Sequence, residues 1–214
     1  MIYYHVLKDL FIETIFMDKV DECNILYILK KLNTMTFVVF SDDLTGASGI
    51  ASLIGNNSVT VPFYNIGRID LKKYDCVSID METRDSKPNY SEELLNKLIS
   101  RFKDMTIAFR IDSTLRGNIK EYLTVLSEFK KIIITDTIPE YKRFTRNGFT
   151  IMGNSKMDIN KIIPDKPANK IMIMDSEKYS DLKKIAFKCI SENYMPVDSG
   201  ILIKLYFEKS VINK

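Results

Sequence analysis

At 214 residues, 45% of them hydrophobic and including 12 Phe and 11 Tyr, the chain is long enough to bury one large core or two small ones. Its 31 basic and 28 acidic residues leave a net charge of only +3, and the lysines are scattered rather than striped, which excludes a nucleic-acid footprint. The three cysteines, Cys23, Cys76 and Cys189, show neither zinc spacing nor a disulfide framework, so the expected home is a reducing cytoplasm, with Cys76 and Cys189 as plain core. No apolar run approaches the ~20 residues of a membrane span. Asp9 and Glu13 interrupt the N-terminus, which does not read as a signal peptide.

Residues 1–34 are expected to form a helical extension. Val6, Leu7, Leu10 and Phe11 make one apolar stripe, and Ile25, Leu26, Leu29 and Leu32 another. Such stripes need a cover, either the main body or a second copy in a homodimer. The main domain is expected over 35–214.

Phe37-Val38-Val39-Phe40 predicts a buried strand. Asp42-Asp43 follows, then a helix over about 45–54 kept slim by Gly46, Ala47, Ser48, Gly49 and Ala51. Further strands are predicted at 59–63, 75–80, 106–111, 131–135, 170–174 and 195–197. Helices are predicted from Ser91, from about 117 to Phe129, around Leu182 to Ile190, and after Gly200. Residues 139–153 read as a loop rich in Lys, Arg, Asn and Gly. Strands alternating with helices predict an α/β domain, a mostly parallel sheet with helices on both faces.

Four predicted strands end in polar clusters: Asp42-Asp43, Glu82-Thr83-Arg84, Asp112 to Arg116, and Asp175-Ser176. The carboxyl ends of parallel strands lie along one edge, where ligands bind. Arg84, Arg110, Arg116 and Arg143 can fork onto a carboxylate or phosphate. Asp42, Asp43 and Asp112 can accept from sugar hydroxyls, and Ser113, Thr114 and Asn118 can donate or accept. A small polyhydroxy acid satisfies both sets. The plainer reading makes one of Asp42 and Asp43 a helix cap and the other solvated, and Asp112-Ser113-Thr114 the cap of the next helix. A Gly-x-x-x-x-Gly-Lys-Ser/Thr loop and a Gly-x-Gly-x-x-Gly fingerprint are both missing, no metal site is evident, and the only histidine is His5, so a His-based triad is not expected.

Ser41-Asp42-Asp43-Leu44-Thr45-Gly46-Ala47 resembles the A-D-D-[LF]-T-G-A start of the four-carbon acid sugar kinases, which phosphorylate erythronate, threonate and related acids. Arg110-Ile111-Asp112-Ser113-Thr114-Leu115-Arg116-Gly117-Asn118 is similar to their K-x-D-S-T-L-R-G-N stretch. Glu82-Thr83-Arg84, the Pro139-to-Gly148 stretch (family pattern P-x-x-G-R-T-x-x-x-G) and Pro196-Val197-Asp198-Ser199-Gly200 resemble weaker motifs of the same family. Arg110 stands for the family's Lys, Lys142 for its Gly and Phe144 for its Thr.

The resemblance covers about 36–207 and implies a substrate-binding N-terminal domain, with a C-terminal ATP-binding domain outside these 214 residues. It implies a pocket of Asp42, Asp43, Arg84, Arg110, Asp112, Ser113, Arg116 and Arg143, with Asp43 as the catalytic group that orients or deprotonates a hydroxyl. It also implies ATP and Mg as co-reactants, supplied through a separate ATP-binding chain or domain. The alternative is a non-catalytic binding or regulatory module that keeps the pocket. A haloacid-dehalogenase reading fails because Ser41 stands where its nucleophilic Asp belongs.

Overall fold

The structure, a computed structural model, describes residues 36–55, 57–165 and 168–212. The expected helical extension over 1–34 lies outside the described residues.

Seven strands form the main sheet: β1 (Phe37–Ser41), β2 (Ser58–Pro62), β3 (Cys76–Asp80), β4 (Thr106–Arg110), β5 (Ile132–Ile134), β9 (Ile171–Ile173) and β10 (Met195–Asp198). Their order is β2-β3-β1-β4-β10-β5-β9, and every pairing is parallel. A central parallel strand is covered on both faces and therefore reads as an unbroken apolar run, as β1 does. Val38 and Phe40 join the core beneath α2 (Pro88–Phe102) and α3 (Ile119–Phe129). Phe37 and Val39 face the core that includes α1 (Leu44–Ile54), α4 (Tyr179–Ser191) and α5 (Ile201–Ile212). The expected α/β architecture with helices on both faces holds. Cys76 and Cys189 are buried, and burial pushes both thiols up to about 12.

After β1 the chain turns towards β3 and β2, whereas β4 leads on to β5 and β9. The crevice between β1 and β4 is therefore the switch point where open α/β sheets bind ligands. In register, Pro62, Asp80, Ser41, Arg110 and Asp198 form one row across the ends of five strands. From Asp80 to Asp198 this row is polar and caps the apolar interior.

Three expectations are corrected. Residues 139–153 are not a loop. They contribute β6 (Arg143–Arg146) and β7 (Phe149–Met152), which pair antiparallel, and β8 (Ser155–Asp158) completes a second three-stranded sheet. Asn147-Gly148, both at positive φ, make the hairpin turn that the charge-rich composition concealed. α2 starts at Pro88, not Ser91; a proline needs no amide partner in a first turn. Ser91 is buried inside the helix, where its hydroxyl meets Ser86 Oγ at 2.8 Å and accepts from Asn118 Nδ2 at 2.8 Å. Asp112 does not cap α3, which begins at Ile119; it folds back instead onto its own loop, accepting from the Thr114 and Arg116 amides.

Candidate functional site

The ends of β1, β3 and β4 bring Asp42, Asp43, Arg84, Arg110, Asp112 and Arg116 together. Arg84 is the hub. Its Nε and Nη2 donate to the two oxygens of Asp42 at 3.0 and 2.9 Å, and its Nη1 donates to Asp43 Oδ2 at 2.6 Å. Nη2 also lies 3.4 Å from Asp112 Oδ1. Arg116 holds Asp112 with two parallel hydrogen bonds of 2.9 and 3.0 Å, the fork geometry that suits a guanidinium to a carboxylate.

The plainer reading of the two adjacent aspartates holds for one of them. Asp43 caps α1, its Oδ1 accepting from the Gly46 amide at 2.8 Å. Asp42 is not solvated: it is 1% exposed, whereas Asp43 is 22% exposed. Burial raises the pKa of Asp42, working against the pull of Arg84. Burial also opposes ionisation of Asp112, but hydrogen bonds from Arg116 and Thr114 outweigh it and hold that carboxyl below the usual carboxylate range. Neighbouring carboxylates are thus pushed in opposite directions, as in sites that divide acid and base roles.

Two glycines make room for this arrangement. Gly117 has φ +85°, and a Cβ there would stand 2.9 Å from Asp42 Oδ2. A Cβ on Gly46 would collide with Ser41 Oγ and the Arg110 guanidinium, so glycine lets Arg110 lie against the first turn of α1. Arg110 Nη1 is 3.5 Å from Asp43 Oδ1, and it is buried with no hydrogen-bond partner among the described residues. Asn118 braces the β3 end: its Nδ2 lies 3.0 Å from both the Thr83 and the Ser86 carbonyls.

Arg143 and Ser113 lie on the flank of this group. Arg143 Nη1 donates to the Ser113 carbonyl at 2.6 Å and to Asp136 Oδ2 at 3.3 Å. All eight expected site residues are therefore linked along one edge. Asp175-Ser176 is not among them. It follows β9 at the far rim of the sheet, and lines a separate shallow depression of about 300 Å³ with Glu177, Lys178 and Asp181.

Sequence reasoning missed Asp136 and Asp198 as site residues. Asp198 is fully buried at the end of β10, in register with Arg110, and accepts from the Leu202 amide at 3.1 Å. Burial pushes its carboxyl up to about 8. Asp136 follows the run Ile132-Ile133-Ile134-Thr135, a strand-end signal of the same kind as Asp42. Among the described residues no three His, Cys, Asp or Glu side chains gather to hold a metal ion, and Arg84 already occupies the space between the three central carboxylates. No helix among them is long and apolar enough to cross a membrane.

Residues 37–161, more than half of the chain, match the family described as the sugar-binding N-terminal domain. The chain belongs to this family. The resemblance read from the strand-end motifs therefore holds. A curated relative, the 3-oxo-tetronate kinase of Haemophilus influenzae, is 28% identical over 166 residues, 70% of this chain and 40% of the relative. Among solved structures, a Bordetella bronchiseptica domain of unknown function, a domain-swapped dimer with bound citrate, superposes with TM-score 0.67 at 14% identity, covering 80% of this chain and 55% of that one. A Haemophilus influenzae protein superposes with TM-score 0.64 at 18% identity, covering 83% and 57%. The chain thus spans well under two thirds of the relatives it matches, and the structural likenesses establish the shared fold.

Proposed function

We propose that this sugar-binding domain is the substrate half of an ATP-dependent kinase for four-carbon sugar acids of the erythronate and threonate type. In this reading a separate ATP-binding chain or domain brings ATP and Mg. The observation that carries it is the clustering of three carboxylates and three arginines at the switch point, with one buried guanidinium nitrogen, Arg110 Nη1, left without a hydrogen-bond partner. Arginine forks suit the acid's carboxylate, and aspartates suit its hydroxyls.

Arg110 and Arg116 are assigned to the carboxylate and Arg143 to the flank. Asp42 and Asp112 set the position of Arg84 and, with Ser113, line the floor. Asp43 is the most exposed of the three carboxylates, and it is assigned to orient the hydroxyl that attacks the phosphoryl group and to take its proton. Phosphoryl transfer needs positioning and charge neutralisation, and the arginines supply part of the second. The bound ATP and Mg would provide the phosphoryl group and the remaining positive charge. The described residues offer no phosphate-binding loop of their own, which supports assigning that role elsewhere.

One observation favours a second reading, a binding module without catalysis. Asp42, Asp43 and Asp112 are each already engaged by an arginine, so their charges are met without a ligand. Thermal-shift titration tests the acid binding that both readings share, and phosphoryl transfer separates them. Erythronate or threonate at about 100 times its dissociation constant should add ~2.7 kcal/mol of stability, and the uncharged polyol of the same length should add far less. Asp43→Asn should keep acid binding in both readings. Loss of phosphoryl transfer in that variant, measured with the ATP-binding partner present, supports the kinase; wild-type binding without any transfer supports the module.

A further inference from the structure

The described residues leave nine buried side-chain polar atoms without a hydrogen-bond partner, and six of them lie at the C-terminal edge of the main sheet. They fall into two groups. Ser41 Oγ and Arg110 Nη1 both crowd the bare Cα of Gly46. Asp136 Oδ1, Arg143 Nε, Thr150 Oγ1 and Ser199 Oγ surround the Asp136–Arg143 ion pair. Burial raises the Asp136 carboxyl above its ordinary value, against the opposing pull of Ser199, Arg143 and Thr150 beside it, and neither hydroxyl meets hydrogen-bond geometry.

We propose that Asp136, Arg143 and Ser199 form a hydroxyl-binding subsite for the sugar acid, across Asp198 from a carboxylate subsite at Arg110. This rests on the sugar-acid reading above. The two groups differ in what they lack. Near Gly46 the unmet atoms are a guanidinium donor and a hydroxyl that can donate, beside the N-terminus of α1, a setting for an anion. Near Asp136 a carboxylate oxygen and a guanidinium donor are unmet on the two members of one ion pair. A carboxylate would suit Arg143 Nε but meet Asp136 head on. A hydroxyl donates and accepts at once, and so satisfies both. Asp136 is completely buried, so leaving its Oδ1 unpaired is costly. β10 separates β4 from β5, which sets the groups two strand spacings apart, roughly 10 Å before the side chains reach inwards.

The test is calorimetry on the full chain with threonate or erythronate and with 2,3-dihydroxybutyrate, which lacks the terminal hydroxyl. The wild type is expected to prefer the fully hydroxylated acid by about tenfold, the worth of one hydrogen bond to a charged group. Asp136→Asn should shrink that preference below about threefold by weakening the hydroxylated acid alone. Ser199→Ala removes an unpartnered atom and no charge, so it carries the same test should Asp136→Asn fail to melt cooperatively. Binding of both acids with an equal preference in wild type and variants overturns the subsite and assigns these unpartnered atoms to water, while leaving the sugar-acid reading intact. Failure of the wild type to bind either acid overturns the reading itself and the subsite with it.

Discussion

The C-terminal edge of the sheet changes character at β10. On the β1–β4 side its polarity is ionic: Asp42, Asp43 and Asp112 share Arg84, with Arg116 at the rim, 65% exposed. On the β5–β9 side, beyond the Asp136–Arg143 pair that follows β5, it is hydroxyl. Ser176 Oγ lies 2.6 Å from Thr135 Oγ1 and 2.7 Å from Thr137 Oγ1, Thr135 Oγ1 donates to Thr145 Oγ1 at 3.1 Å, and all four residues are buried. The ionic group stands where loops leave the sheet and can be rearranged by a ligand. The hydroxyl group pins β6 to the sheet through the Thr145–Ser176 bridge and has nothing left to offer one. Polarity at a strand end thus has two uses, and unmet valence tells them apart better than residue type does.

The sharpest way to break the contrast is Arg84→Met. It strands Asp42 in the interior and should destabilise the fold by about 3–5 kcal/mol at pH 7, measured by urea denaturation. Asp42 is already raised by burial, so without Arg84 it protonates more readily still, and the loss should shrink towards pH 5. A loss under about 1 kcal/mol at pH 7, the worth of an exposed pair such as Arg146–Glu177 (51% and 50% exposed), would mean that the network is a surface feature.

Asp198, at the boundary between the two groups, gives a pH signature. Its folded value of about 8 lies above the unfolded 3.8. The stability it contributes is therefore fully present below about pH 4 and is lost as pH rises through about 8, at up to ~1.4 kcal/mol per pH unit in between. Asp198→Asn should flatten that slope between pH 5 and 8 and keep an amide-accepting oxygen for the start of α5. A wild type and variant with parallel stability profiles would show that Asp198 is ionised throughout.

Ser176→Ala tests the hydroxyl side. It leaves Thr135 and Thr137 short of a partner in a buried setting, for a loss of about 1–3 kcal/mol. Binding of sugar acids should not change. An altered affinity at intact stability would place Ser176 in the site and dissolve the contrast.

These two sides were not equally legible in the sequence. The ionic side was readable because its aspartates and Arg110 come at the ends of apolar runs: Phe40 precedes Ser41-Asp42-Asp43, and Phe109 precedes Arg110-Ile111-Asp112. Period and composition carry that signal. The hydroxyl side depends on Thr145 meeting Ser176, residues 31 positions apart that are joined only once the hairpin folds back. Its threonines look like ordinary strand residues. Asp136 was overlooked for a related reason. Its place after an apolar run was visible, but which of its atoms goes unpaired is a property of packing. The start of α2 was misjudged because Ser91 carries the chemistry of a cap but spends its hydroxyl on Ser86 and Asn118.

The smallest expected effect concerns Lys142, which joins the ionic flank to the hairpin. It has φ 52° and ψ 34°, left-handed backbone directly before Arg143, at the position where the sequence resemblance has glycine. A side chain there costs roughly 1–2 kcal/mol, while glycine loses about 0.5–1 kcal/mol more entropy on folding. Lys142→Gly should therefore raise stability by only about 0.5–1 kcal/mol. The informative readout is not the melting temperature alone. If the bend serves to present Arg143 to Ser113 and Asp136, relieving it should leave acid affinity unchanged or improve it slightly, since the same geometry is reached with less strain. A stabilised variant with weakened acid binding would show instead that the strained lysine itself touches the ligand, and would extend the ionic side of the edge by one residue into the hairpin.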